Sequence, residues 1–231
     1  MTFEEASALA KKLGEINESL LWASSPAAKK ALRKQFKAVN AQIVYGGYKA
    51  RGMIIAGKPM FTVAKSKNNQ YMAYDNNRPE DKQDNTKDCT TRCISYCTDV
   101  DYNTIFAEQL ANAAKAGNPY GKNSYKFMSI WAKSLTSRGF VRLDLVRKMS
   151  RKRLLVIFAK AKIDHGIIAA RSRSHVAAMD LARQKILDTF DSAGGQVTTI
   201  FVKEEDASKF NSLGLFVMPS LYLARERSTS F

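Results

Sequence analysis

The chain has 231 residues, 45% hydrophobic and 25% charged, with a formal net charge of +16. That is enough apolar material for one large domain or a domain plus an extension, and no apolar run approaches the ~20 residues that cross a bilayer. The N-terminus, Met1-Thr2-Phe3-Glu4-Glu5, is acidic and lacks the apolar stretch of a secretory leader. All three cysteines fall between Cys89 and Cys97, which excludes a disulfide framework, so a soluble protein in a reducing, cytoplasmic compartment is expected.

In chain order, residues 3–13 are predicted as a short amphipathic helix with Phe3, Ala6, Leu9 and Leu13 near one face. Ser25-Pro26 starts a second helix, a capping hydroxyl followed by proline at the first helical position, and Gly46-Gly47 ends it. Residues 52–64 and 70–74 read as short strands, and 75–88 as a polar loop. Helical pattern resumes from Cys89 to Tyr96. A third helix follows the cap Asp101 and stops at Gly117, and a fourth runs from about Ser124 to Arg138 with Gly139 closing it. Residues 144–162 are predicted helical and strongly basic.

Strands are then expected over Gly166–Arg171, His175–Leu181, Gln184–Phe190, Val197–Val202 and Leu221–Ala224, with a helix near 204–211. Helices first and a sheet later predict an α+β fold. Residues 1–75 are expected to form a basic helical extension with short strands, either a docking extension or packed on the core as part of one domain with residues 76–231.

Charge is uneven: residues 1–70 carry +8, 71–100 carry −2, 101–170 carry +9 and 171–231 carry +1. Two basic regions thus flank the acidic stretch that holds Cys89, a balance suited to nucleic acid or another anionic partner. The candidate phosphate contacts are Lys29, Lys30, Arg33, Lys34, Arg147, Lys148, Arg151, Lys152 and Arg153. Few aromatics interleave with them, so base stacking is not expected.

The chemistry centres on Cys89, at the join between the polar loop and a helix. A thiol there gains from the unpaired first-turn N–H groups and the positive dipole end, which favour thiolate. His175, opening a strand, is placed to take the thiol proton, and an acid one strand later to orient it. Asp188 stands thirteen residues after His175, a spacing that two strands joined at Ala182–Arg183 satisfy. Asp191 is the alternative acid. Cys93 and Cys97 recur at helical spacing and read as core, Trp131 as core, and His165 as an exposed turn residue. Cys-x3-Cys-x3-Cys lacks the paired spacing of zinc motifs, so neither metal nor cofactor is expected.

The pieces Lys87-Asp88-Cys89-Thr90-Thr91-Arg92-Cys93-Ile94, the Trp131 helix ending in Arg138-Gly139-Phe140, Ser174-His175-Val176-Ala177-Ala178 and Ile186-Leu187-Asp188-Thr189-Phe190-Asp191 resemble, in order and spacing, the papain-like cysteine peptidase superfamily in its compact phage and bacterial form. The resemblance covers a little under half the chain. It implies a papain-like core, a Cys-bearing helix packed on an antiparallel sheet, with Cys89 as nucleophile, His175 as base and Asp188 as orienter. It also implies an oxyanion donor six residues before the cysteine, where Gln83 stands, with Asn85 as a competing candidate. Three positions depart from the family pattern: Cys93 where a small apolar residue is common, and Asp180 and Arg183 where a glycine turn is usual.

The resemblance thus leads to a phage-type thiol hydrolase or transferase acting on amide, isopeptide or ester bonds of a protein or peptide, located in the host cytoplasm or associated with the virion. The alternative is a catalytically inactive basic phage protein, a virion component or host-interaction factor, that binds nucleic acid or an anionic partner.

Overall fold

In the computed structural model, which describes residues 1–75, 77–80, 88–117 and 126–217, the first helix begins at a capping box. The Thr2 hydroxyl accepts the Glu5 N–H at 3.2 Å and the Glu5 carboxylate accepts the Thr2 N–H at 2.8 Å, which satisfies donors that have no partner inside the helix. Helix α1 spans Phe3–Trp22, well past Leu13, where the apolar pattern was expected to end. Gly14 does not stop it. A Cβ at this position would stand 3.1 Å from the Pro59 carbonyl oxygen, so the glycine serves a close approach of helix to strand.

Ser25 Oγ accepts the Ala28 N–H at 3.1 Å and Pro26 opens helix α2, Pro26–Tyr45, as the capping chemistry predicts. Strands β1, Tyr48–Ile55, and β2, Lys58–Lys65, form an antiparallel hairpin with Tyr48 opposite Lys65 and Ile55 opposite Lys58. Ala56 and Gly57 both have positive φ, 49° and 76°, the conformation a two-residue hairpin turn requires. Strand β3, Met72–Tyr74, follows. Ala6, Ala10, Leu13, Val39, Ile43 and Tyr48 are buried together, with Phe36, Phe61 and Val63 packed against them.

The chain divides into two compact units. One is Met1–Asp75 with Asp188–Asp191, and the other is Asn76–Leu187 with Ser192–Phe231. The second opens with helix α3, Cys89–Thr98, and helix α4, Tyr102–Lys115, whose cap Asp101 accepts the Thr104 N–H at 3.0 Å. Helix α5, Met128–Thr136, ends before Gly139 at φ 74°. Strand β4, Phe140–Ser150, helix α6, Arg151–Lys160, and strands β5, Ile167–Ser172, β6, Val176–Asp180, β7, Lys185–Asp188, and β8, Gln196–Lys203, come next. Helix α7, Ala207–Asn211, and strand β9, Phe216–Val217, complete it.

The strands of the second unit run in the order β7-β6-β5-β8-β4-β9, with antiparallel registers from β6–β7 to β4–β9. Helix α3 packs on β5 and β6. Ile94, Leu143, Met179 and Ile200 are fully buried, and the Trp131 and Phe201 rings stand 5.3 Å apart.

The chain is therefore α+β, as its element order predicts. The basic helix expected over 144–162 needs correction. Residues up to Ser150 are strand, because β4 pairs with β8 from Phe140 opposite Lys203 to Ser150 opposite Gln196, across a bulge after Asp144. The helix begins only at Arg151. The strand expected at Leu221–Ala224 lies outside the described residues. No described helix is long and apolar enough to cross a membrane.

Candidate active site

Cys89 is the first residue of α3, where backbone N–H groups have no partner within the helix. Its sulfur is in hydrogen-bond contact with the His175 ring and accepts the Val176 N–H. Burial by itself would raise the thiol pKa. The hydrogen bond and charge of His175, the Val176 N–H and the Arg92 guanidinium outweigh it and hold the pKa below the usual thiol range. Sequence reasoning brought together Cys89 and His175, and the fold joins them because α3 lies against the strand that His175 introduces.

His175 is fixed through its backbone. Its carbonyl oxygen accepts the Ser172 N–H at 2.8 Å, the Ser172 hydroxyl at 2.9 Å and Arg151 Nη2 at 3.2 Å. Arg151 is fully buried, at 0% exposure. It also donates to the carbonyl oxygens of Ala170 and Ser192, both at 3.1 Å. The two terminal nitrogens of the buried guanidinium are met in this way, which offsets much of the cost of its burial. Gly195 provides the space, since a Cβ there would collide with Arg151 Nη1. Arg151 is thus not a phosphate contact: the fold removes it from the surface and uses it to anchor the turn that carries His175.

A second buried network precedes the thiol. Asp88, also at 0% exposure, stands at the N-cap of α3, but its side chain makes no capping hydrogen bond. Its carboxylate accepts Arg78 Nε and Nη2, both at 2.6 Å, the Tyr102 hydroxyl at 2.9 Å and Arg92 Nε at 3.3 Å. Burial would raise its pKa, but the hydrogen bonds and charges of Arg78 and Arg92, with Tyr102, hold the carboxyl below the usual range. Next to it Thr91 Oγ1 donates to Gln109 Oε1 at 2.6 Å. These residues pin the first turn of α3; Asp88, Thr91 and Arg92 lie in the motif quoted from sequence, which assigned them no role, and Arg78, Tyr102 and Gln109 were not singled out. The available signal was the i, i+4 spacing of Asp88 and Arg92 at the head of a helix.

Asp188 ends β7, buried, with its carboxylate accepting the Thr189 N–H at 2.8 Å. The register places Leu187, the residue before it, opposite Ala178. The Asp191 carboxylate is taken up elsewhere, by Lys49 at 2.7 Å, Ser66 at 3.0 Å and Asn68 at 3.1 Å. Gln83 and Asn85 lie outside the described residues.

Cys93 is buried in the core, and burial together with Cys97 and Cys89 pushes its thiol up. Cys97 is half-buried rather than core. His165 is exposed and paired with Asp206 at 3.0 Å, and Trp131 is core. Among the described residues no group of His, Cys, Asp and Glu is arranged to hold a metal ion. Lys29, Lys30, Arg33, Lys34, Arg147, Lys148 and Arg153 are exposed, and Lys152 is half-buried.

Fold and site together define an α+β protein with a thiol in contact with an imidazole at a helix start. No protein-family model matches the chain, and comparison with the curated proteins and with solved structures finds no match.

Proposed function

We propose that the chain is a thiol hydrolase or transferase with a papain-like core, acting on an amide, isopeptide or ester carbonyl of a protein or peptide. The observation that carries this is the contact of Cys89 with His175 and the lowered thiol pKa that results. The Cys89 thiolate attacks the carbonyl carbon, forming a C–S bond and a tetrahedral oxyanion. Collapse expels the leaving amine or alkoxide, which takes its proton from the His175 imidazolium and leaves a thioester. Water, or an acceptor amine in a transfer reaction, then gives a proton to His175, attacks the thioester and returns the thiol.

Asp188 is the proposed orienter of the imidazole, a role supported by its burial at the end of β7. The proposed oxyanion donors are the Cys89 N–H and the Gln83 side chain, following the family resemblance. The proposed location, on the same resemblance, is the host cytoplasm or the virion.

The test is the pH dependence of Cys89 alkylation by iodoacetamide, with Cys93→Ser and Cys97→Ser present throughout. The expected apparent pKa lies below ~8.5 and rises when His175 becomes Ala. A Cys89 that reacts like a free thiol, indifferent to His175, ends this reading.

A second reading, a basic protein that binds nucleic acid, is favoured by the exposure of Lys29, Lys30, Arg33 and Lys34 along α2 and of Arg147, Lys148 and Arg153. Its mark is affinity for duplex DNA that falls steeply with salt. Affinity flat with salt removes phosphate contact as the mechanism.

A further inference from the structure

Asp191 has no part in the proposed reaction, yet it is closely held. Its side chain is only 6% exposed and accepts Lys49 Nζ at 2.7 Å, Ser66 Oγ at 3.0 Å and Asn68 Nδ2 at 3.1 Å. Burial by itself would raise its pKa. The hydrogen bonds of Lys49, Ser66 and Asn68 and the Lys49 charge outweigh it and hold the carboxyl below the usual range. Asp191 is therefore a carboxylate throughout the range in which a histidine titrates.

The three donors stand on fixed backbone. Lys49 lies in β1, opposite Ala64 of β2. Ser66 directly follows β2, and its N–H donates to the Gly47 carbonyl oxygen at 2.8 Å. The Asn69 N–H donates to the Ser66 carbonyl oxygen at 3.2 Å and the Tyr71 N–H to that of Asn68 at 2.8 Å, so the turn carrying both donors is closed by its own main chain.

Asp191 ends a four-residue segment, Asp188–Asp191, that belongs to the same compact unit as Met1–Asp75. The segment is tied at its other end too. The Asp188 carbonyl oxygen accepts the Asp75 N–H at 3.1 Å. Three residues of chain reach at most about 10–11 Å, so a tie at Asp191 limits where Asp188 can stand. A buried ion pair is a weak source of stability, because desolvation consumes much of the attraction, and its best-attested use is to fix a register. The register fixed here is that of Asp188.

We propose that Asp191 is a positioning residue for Asp188, so that the first unit, through Lys49, Ser66 and Asn68, sets the acid that orients His175. This rests on the reading of Asp188 as that orienter. It makes residues 1–75 part of the thiol's activation rather than a docking extension alone.

His175 itself is the reporter. It is one of two histidines, and the other, His165, is exposed and paired with Asp206, so it serves as an internal reference. The imidazole C–H signals of the full chain are titrated by NMR in the parent, Asp188→Asn, Asp191→Ala, Lys49→Met and the Asp188→Asn/Asp191→Ala double variant. Circular dichroism and Tm are read alongside. The Lys49 side chain is 51% exposed, so Lys49→Met keeps the test open even where Asp191→Ala fails to fold.

Asp188→Asn is expected to lower the proton affinity of His175 about tenfold. Asp191→Ala and Lys49→Met are each expected to lower it about threefold or more, with His165 unmoved. Lys49→Met decides by sign: losing a cation raises the affinity of His175 through charge alone, whereas loosening Asp188 lowers it. In the double variant Asp191→Ala should add nothing to Asp188→Asn.

A His175 affinity that holds or rises in Lys49→Met, or an Asp191→Ala effect that adds in full to Asp188→Asn, overturns the proposal and leaves Asp188 as orienter. A His175 indifferent to Asp188→Asn overturns both, while Cys89 alkylation still judges the thiol–imidazole pair separately.

Discussion

Arg151 Nη2 donates to the carbonyl oxygen of His175 at 3.2 Å, which ties a fully buried guanidinium at the start of α6 to the residue that contacts the Cys89 sulfur. The same side chain holds Ala170 and Ser192. The turn carrying the imidazole therefore hangs on a cation from a different element.

Arg151→Lys keeps the charge but loses the planar fork, so it cannot reach three carbonyls at once. The expected cost is ~2–4 kcal/mol in urea unfolding, the penalty for buried acceptors left unmet. If Arg151 positions His175, the Cys89 pKa, read by alkylation rate against pH, rises toward that of a free thiol in the same variant. A loss of stability with the Cys89 pKa unmoved assigns Arg151 to folding alone.

Gly195→Ala tests the same anchor from the other side. The added methyl meets the Arg151 guanidinium, and overpacking of this kind costs ~1–3 kcal/mol. The decrease should shrink in an Arg151→Ala background, where the obstructing group is gone, and a double-mutant cycle measures the coupling.

Asp88 links the site to acid stability. Its folded carboxyl titrates below the unfolded one, so the folded state binds fewer protons around that range. The stabilisation is complete above the unfolded pKa, ~3.9, and is lost as pH falls through the depressed folded pKa. Asp88→Asn removes that part of the acid limb. At pH 7 it costs ~3–5 kcal/mol, because the Arg78 and Arg92 guanidinium groups keep their burial and lose their charge partner. Urea midpoints at pH 7 and at acid pH check both statements.

The cysteines should separate by reactivity. Cys89 is held low by His175, Val176 and Arg92 against its burial, whereas Cys93 is pushed up by burial and its neighbouring thiols. Limited iodoacetamide at pH 7 is expected to label Cys89 first and Cys93 last, by peptide mass spectrometry. Early labelling of Cys93 contradicts the buried, protonated state described for it.

The places where sequence reasoning succeeded share a cause. Ser25-Pro26, Asp101 and Gly139 act on backbone groups within a few residues of themselves, so the starts of α2 and α4 and the break after α5 were legible locally. Gly14 was legible as a glycine but not as a contact, because the Pro59 carbonyl that requires it belongs to a hairpin formed later in the chain. Residues 144–150 were misread for a related reason: an apolar and basic run is ambiguous until a partner strand, here β8, selects the extended form.

By itself the sequence determined the α+β order, the helix that begins at Cys89, and a histidine and an acid at spacings compatible with neighbouring strands. The tertiary structure decided which of these meet. Burial is a property of the assembled fold, not of a residue type, so only the assembled sheet and helices distinguish Arg151, enclosed by carbonyls from Ala170, His175 and Ser192, from Arg147 and Arg153 in solvent. The same assembly sets His175 against Cys89 and places Asp88 among Arg78, Arg92 and Tyr102. Apart from the i, i+4 pair Asp88–Arg92, these contacts depend on distances across elements, which no local pattern of residues encodes.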